Sequence, residues 1–298
     1  MKVLLCLLFC LIPLQCVYAE TDFRKTTEAT VIFDKASEKV AEEIIRVYPA
    51  IKSKLAGTLR WEVDFRPEIV LTSDKALFRK MAGGDIISAF AVPEKGLIVI
   101  DSTRVFTKPF TLETTLEHEL CHLLLHRYIQ RDTLPRWMDE GVCQWTTGGV
   151  AELIYDSGNS LEKAVLSDRM IPLSELERFP SEEKSLILAY EESKSIIEYI
   201  ANEYSRQKML DVLALMKEGN SPEEAIETSL SISLTELEKN WHAYLRRKHT
   251  WFSYLSNNLY TILFVIAALI TVYGFIRLLR KKREYKDAEE EEDILKPL

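Results

Sequence analysis

His118 and His122 stand four residues apart in LEHELCHL, residues 116–123, with Glu119 directly after the first of them. Four residues make slightly more than one α-helical turn, so the two imidazoles share a face only if this segment is a helix. Imidazoles so placed can hold one zinc ion, and the glutamate beside them can polarise a water on it. The pattern therefore demands a helix, and a fold that packs something against that helix to complete a metal site. A catalytic zinc takes three protein ligands and keeps one position open. The third must come from elsewhere, and WMDEG at 137–141 offers Asp139 and Glu140. His126, one turn further on, reads as a packed or surface residue, because the glycine-containing spacing that would make it a ligand is absent. The run 123–125 and the pair Trp137 and Trp145 read as core, with Trp137 under the zinc helix.

The ends say where such a site works. Residues 1–19 have a lysine at position 2, an apolar run over 3–14, and Ala19 preceded by Val17. That is the layout of a secretory leader cut between Ala19 and Glu20. Cys16 raises a lipoprotein alternative, which Gln15 before it does not suit. An uncleaved anchor is the other alternative, against which the run is short for a span of about 20 residues. Residues 250–276 carry no charge and are long enough to cross a bilayer with some tilt. Trp251, Phe252, Tyr254 and Tyr260 at one end and Tyr273 at the other suit an interfacial aromatic belt. Beyond come Arg277, Arg280, Lys281, Lys282, Arg283 and Lys286, against Arg246, Arg247 and Lys248 before it. This asymmetry puts the C-terminus in the cytoplasm. The expectation is a single-pass cell-membrane protein: leader 1–19, an extracytoplasmic domain 20–249 (periplasmic or cell surface), a transmembrane helix 250–276 and a cytoplasmic tail 277–298.

The formal charge of −8 draws on the acidic run DAEEEED at 287–293, which reads as a solvated end. Lys and Arg cluster only beside the membrane, where they meet anionic headgroups. Nothing points to nucleic acid; the partners expected are a peptide or protein substrate and the lipid bilayer. Beyond the leader the chain keeps two of its five cysteines, Cys121 and Cys143. They are either a disulfide of an oxidising compartment or two small buried thiols, and their placement on helices favours thiols.

Along the body, EATVIF at 28–33 alternates as a strand does, and 36–55 follows as an amphipathic helix with Val40, Ile44, Val47 and Ile51 on one stripe. Further strands are expected over 68–71, 86–91 and 97–100, the last two joined by the turn PEKG, with a short helix at 75–81. The zinc helix occupies 111–128, with Thr111 as cap and Thr114 or Glu113 completing a capping box. Pro135 opens a second helix, which Gly148 and Gly149 end. Helices then follow at 175–178, 182–204, 207–217, 221–229 and 234–248. Strands first and helices afterwards make an α+β layout: an N-terminal mixed sheet with the zinc helix, then a helical lobe, plus one C-terminal transmembrane helix. Glu113, Glu117 and Arg127 keep the zinc helix itself out of a membrane.

HExxH followed one helix later by W-x-x-E-G resembles the gluzincin metallopeptidases, the relatives of thermolysin and aminopeptidase N. The likeness extends to the peptidase MA-like domain family through the strand GLIVI at 96–100, LPRWMDEG at 134–141 and a helical tail over 189–204 and 209–245. It covers most of 27–247. It implies Zn2+ held by His118, His122 and Glu140, with Asp139 a helix-start residue or a support of a ligand. It also implies peptide-bond hydrolysis with Glu119 as general base, passing the water's proton to the leaving amine. A tyrosine or histidine of the helical lobe then steadies the oxyanion, for which Tyr190 is the candidate and Tyr155 and His242 the alternatives. The strand 96–101 is expected to line the cleft and pair its free edge with an extended peptide. AFAVPEKG lacks the G-x-M-E-N segment of aminopeptidases, which favours an endopeptidase. One position departs from the family: Gln144 stands where an acid commonly hydrogen-bonds a zinc histidine, so that Glu113 or Glu117 has to substitute or the metal is held more weakly. The competing reading is a catalytically silent, zinc-binding cell-surface sensor or adaptor, against which the intact Glu119 argues.

Overall fold

Apolar side chains at every second position make strands of TVIFD, EIVLT and LIVID, which become β2 (Thr30–Asp34), β3 (Glu68–Thr72) and β5 (Leu97–Asp101). The computed structural model describes residues 21–84, 87–105, 111–148, 160–249, 255–256 and 258–294, the last helix with side chains as far as Lys282. The expected leader, Gly149, Tyr155 and parts of the expected membrane span lie outside the described residues. The three strands run parallel, β2 beside β3 and β3 beside β5. Their register lays Val31, Ile69 and Ile98 in one row and Phe33, Leu71 and Ile100 in the next, all buried. Side chains two apart on a strand share a face, so these rows form one continuous apolar surface. Antiparallel strands flank them, β1 (Thr21–Lys25) on β2 and β4 (Ala89–Val92) on β5, giving the order β1-β2-β3-β5-β4.

Helix α1 (Glu38–Leu59) follows β2, and α2 (Lys75–Ala82) follows β3 with Asp74 accepting from the backbone N–H groups of Ala76 and Leu77. Helix α3 (Leu112–Tyr128) is the expected zinc helix, closed at its start by the Thr111–Thr114 capping box. It is buried nearly all round from Thr115 to Leu125, its polar Glu117, His118, Glu119 and His122 included, and packs against α1, β4, β5 and α4 (Arg136–Thr147). That burial is what fixes the two histidines in space. The helical lobe continues with α5 (Ser160–Ser167), α6 (Glu183–Tyr199), a π turn at Ile200–Tyr204, α7 (Arg206–Lys217), α8 (Pro222–Leu230) and α9 (Leu234–Lys248). The α+β arrangement of mixed sheet and helical lobe is as expected.

Three local expectations are corrected. Residues 175–178 form a turn, not a helix: Glu175 and Leu176 donate to the carbonyl of Pro172, and Pro180 closes the segment before a second helical turn can form. The strand expected to offer a free edge, 96–101, is β5, and it is paired on both sides. The edge beside it is β4. Finally, β1 and α5 have no counterpart in the sequence reading.

The chain divides into two units, one ending at Tyr244 and the other beginning at Leu245. The second contains α10 (Leu259–Ile294), whose segment Leu259–Lys282 has a mean hydropathy of 2.4 in its most apolar window and none of that window buried. It is long and apolar enough to cross a membrane, and it begins nine residues after the stretch read from sequence.

Candidate metal centre and catalytic cleft

Helix α3 presents His118 and His122 four residues apart, and the first turns of α4 carry Glu140 against them. The side chain of Trp137 is buried, and its backbone N–H donates to the carbonyl of Leu176 at 3.2 Å, so the start of α4 is held from both sides. The register of α4 is also fixed sterically at Gly141. A Cβ there would run into the carbonyl of Ser193 on α6 and come within 2.7 Å of Ile197 Cγ1. Glycine in WMDEG is therefore a demand of helix packing, since α4 and α6 cross too closely for any side chain.

The three donor atoms form a compact triangle. His118 Nε2 and His122 Nε2 lie 3.1 Å apart, and Glu140 Oε2 lies 3.6 Å from the first and 3.5 Å from the second. All three residues are buried. Ligands tetrahedrally arranged about 2.1 Å from one zinc ion stand roughly 3.4 Å from each other. Two neutral imidazoles and a carboxylate are also the donor chemistry zinc accepts while keeping one position open. The residues fit the ion.

The support of His122 comes from a residue the sequence left between two roles. Asp139 Oδ1 lies 2.7 Å from His122 Nδ1, and Asp139 Oδ2 lies 2.9 Å from His126 Nε2. One carboxylate thus accepts from two imidazoles, fixing the His122 tautomer that points Nε2 at Glu140. Burial works against charge on both partners, but their mutual attraction wins. Asp139 is held down to about 2, and His122 is raised well above the usual imidazole range, chiefly by Asp139, with smaller pulls from Cys143 and Glu140. Gln144 takes no part in this: its amide donates to the backbone carbonyl of Tyr190 at 3.1 Å. Neither Glu113 nor Glu117 substitutes for the missing acid. Glu113 is exposed, and Glu117 pairs at 2.7 Å with Lys54 of α1. His126 is accordingly no bystander. Its spacing of four from His122, and Asp139 one residue before Glu140, were the signals available. Cys121 and Cys143 are buried free thiols, and burial pushes the Cys143 thiol up, although its sulfur lies 3.6 Å from His122 Nδ1.

A cleft of about 590 Å³ opens on this centre. Glu119 and Glu140 line it together with Tyr190, and the edge strand contributes Phe90 and Ala91. Tyr190 is buried and sits edge-on to Phe179, ring centres 5.1 Å apart. His242 is not among the lining residues; its ring lies against Trp241 on α9. The arrangement brings His118, His122 and Glu140 to one point and places Glu119 and Tyr190 at the same cavity.

A mixed sheet with a helical lobe, and a buried His–His–Glu triangle opening on a cleft, define a metallopeptidase-like protein. Residues 85–247 match the peptidase MA superfamily; the chain belongs to it. Among solved structures, the chain is similar to an M1 zinc metallopeptidase from Deinococcus radiodurans, with 13% identity and a TM-score of 0.43 over 76% of this chain and 51% of that one. It is also similar to Legionella pneumophila aminopeptidase A in complex with aspartic acid, with 12% identity and a TM-score of 0.45 over 75% of this chain and 27% of that one. The chain thus spans about half the length of the first of these and less of the second. No curated protein matches it.

Proposed function

We propose that the protein is a membrane-anchored, zinc-dependent peptidase that hydrolyses peptide bonds within an extended substrate. The observation that carries this reading is the His118–His122–Glu140 triangle, sized for one zinc ion, with a buried carboxylate, Glu119, on the same cleft. Zinc held there supplies Lewis acidity toward a peptide carbonyl and toward water. Glu119 is the general base: it takes a proton from the attacking water and hands it to the leaving amine. Tyr190, which lines the cleft, donates a hydrogen bond to the developing oxyanion and keeps its proton. Asp139 keeps His122 in the ligating tautomer, and His126 keeps Asp139 in place.

The outer edge of β4, unpaired in the sheet among the described residues, is suited to receive an extended peptide backbone, with Phe90 and Ala91 in the wall beside it. An edge strand that lines the same cleft as the His–His–Glu centre favours a chain passing through, hence an endopeptidase. The helix Leu259–Lys282 anchors the protein in the membrane, and the basic residues after it keep the C-terminus in the cytoplasm and the cleft outside. The test is peptide cleavage and metal content of the wild type beside Glu119→Gln. Equal zinc with cleavage in the wild type alone supports the assignment. Equal zinc without cleavage by either returns the protein to the class of silent zinc-binding sensors or adaptors.

A further inference from the structure

The cleft holds more positive charge than hydrolysis itself requires. Arg131, Arg136 and Arg178 all line it. Arg131 is neutralised by an ion pair with Glu94. Arg136 is held in a fixed pose: Nη2 lies 3.2 Å from Glu140 Oε1, and the guanidinium lies over the ring of Phe179, 5.0 Å from its centre. Its side chain stays half exposed. Arg178, beside Phe179, is exposed and has no acidic partner within ion-pair distance among the described residues. The carboxylates of the cleft are mostly committed elsewhere. Asp139 is shared by two histidines, Glu140 lies between the histidine nitrogens and Arg136, and Glu119 is the base. Glu177 is the exception, exposed and bordering a second cavity as well as this one.

A guanidinium carries five donors in a planar fork matched to a carboxylate. Pinned on Phe179 and Glu140, that fork has little freedom left to lose when a ligand arrives, and this raises what each further bond contributes. We propose that Arg136 and Arg178 form a carboxylate-recognition subsite at the metal end of the cleft, so that the substrate is a peptide bearing a carboxylate next to the scissile bond. The proposal rests on the peptidase reading above. For a chain that passes through the cleft this carboxylate is an Asp or Glu side chain; the free C-terminus of a peptide presents the same anionic fork to the same donors, and the test separates the two.

The test uses the full-length chain, zinc-loaded, in detergent micelles. Four matched peptides are compared: Glu or Gln at the residue beside the scissile bond, each with a free or an amidated C-terminus. The quantity read is kcat/KM. In parallel, binding of fluorescent versions to Glu119→Gln is followed by anisotropy, where no turnover occurs. A charge-assisted fork predicts roughly 10- to 100-fold preference for the carboxylate-bearing member of a pair. Preference that follows Glu against Gln assigns the side chain, and preference that follows the free against the amidated end assigns the terminus. Arg178→Glu reduces that ratio at least tenfold in both readouts. Arg136→Gln reduces it too, with zinc content measured alongside because Arg136 touches a ligand. Cleavage and binding indifferent to both carboxylates would overturn the subsite while leaving the peptidase intact. No cleavage of any peptide, with anisotropy still favouring acidic ones, would overturn the peptidase and leave the subsite.

Discussion

Asp139 does two jobs with one carboxylate, and much of the metal site's behaviour follows from that. Both of its oxygens are taken, one by His122 Nδ1 at 2.7 Å and one by His126 Nε2 at 2.9 Å. Replacing it by Asn keeps the shape and removes the charge; the expected result is zinc affinity lower by about 10–100-fold, measured by competition with a chelating dye. His126→Ala releases the second oxygen and lowers affinity by less. The same ion pair fixes how binding depends on pH. Without metal, Asp139 keeps His122 protonated well above the usual imidazole range, whereas ligation needs the nitrogen bare. Zinc binding at neutral pH therefore expels a proton, and affinity falls as pH is lowered. Calorimetry in buffers of differing ionisation enthalpy reads the released proton directly. That His118, His122 and Glu140 would meet was legible in the sequence, because the helical repeat and W-x-x-E-G tie them to one geometry. The spacing of His126 from His122 was legible, but its partner was not. A fourth-residue histidine on a buried helix has many possible neighbours, and only the docking angle of α4 shows which one it finds.

Among the elements, α4 and α6 cross at close range. Gly141→Ala pushes a methyl group into the backbone of Ser193. The expected cost is about 1–3 kcal/mol or more, with a parallel loss of zinc because Glu140 shifts with the helix; thermal unfolding with and without chelator separates the two. On α6, Glu192 is buried among the lobe's helices, accepting the Ile171 N–H at 3.1 Å. Burial raises its carboxyl to about 8, opposed by that N–H and aided by Glu191 and Glu238. The folded protein then holds a proton that the unfolded chain releases near the ordinary carboxylate value. Stability is therefore greatest below that value and declines as pH rises toward 8. Glu192→Gln should flatten the decline and show the higher melting temperature at pH 8. Helices and inner strands were legible because their apolar periods are long and uninterrupted. The edge was not. LIVI reads equally well as an edge or a central strand, and β5 is central only because β4 turns back along it through Pro93–Lys95 and Gly96. β1 lacks an apolar period, its Phe23 being exposed, and its backbone pairs with β2 at the sheet's edge.

On the scale of the whole molecule, an apolar helix and a cleft-bearing domain share one chain. The Leu259–Lys282 segment exposes Leu263, Phe264, Leu269, Ile270 and Phe275 together. A contiguous apolar surface of this kind needs a nonaqueous neighbour. The full chain is expected to sediment with membranes and resist carbonate extraction, and a chain ending at residue 249 to appear in the soluble fraction. Membrane retention of the shortened chain would count against α10 as the anchor. The central claim, though, concerns chemistry, and one comparison tests it most directly. Purify the full-length protein and Glu119→Gln side by side, measure bound zinc by elemental analysis, and assay both on a diverse peptide library. The account predicts one zinc per chain in each, and cleavage by the wild type alone. Cleavage that persists in Glu119→Gln, or a wild type that binds no zinc, would contradict it.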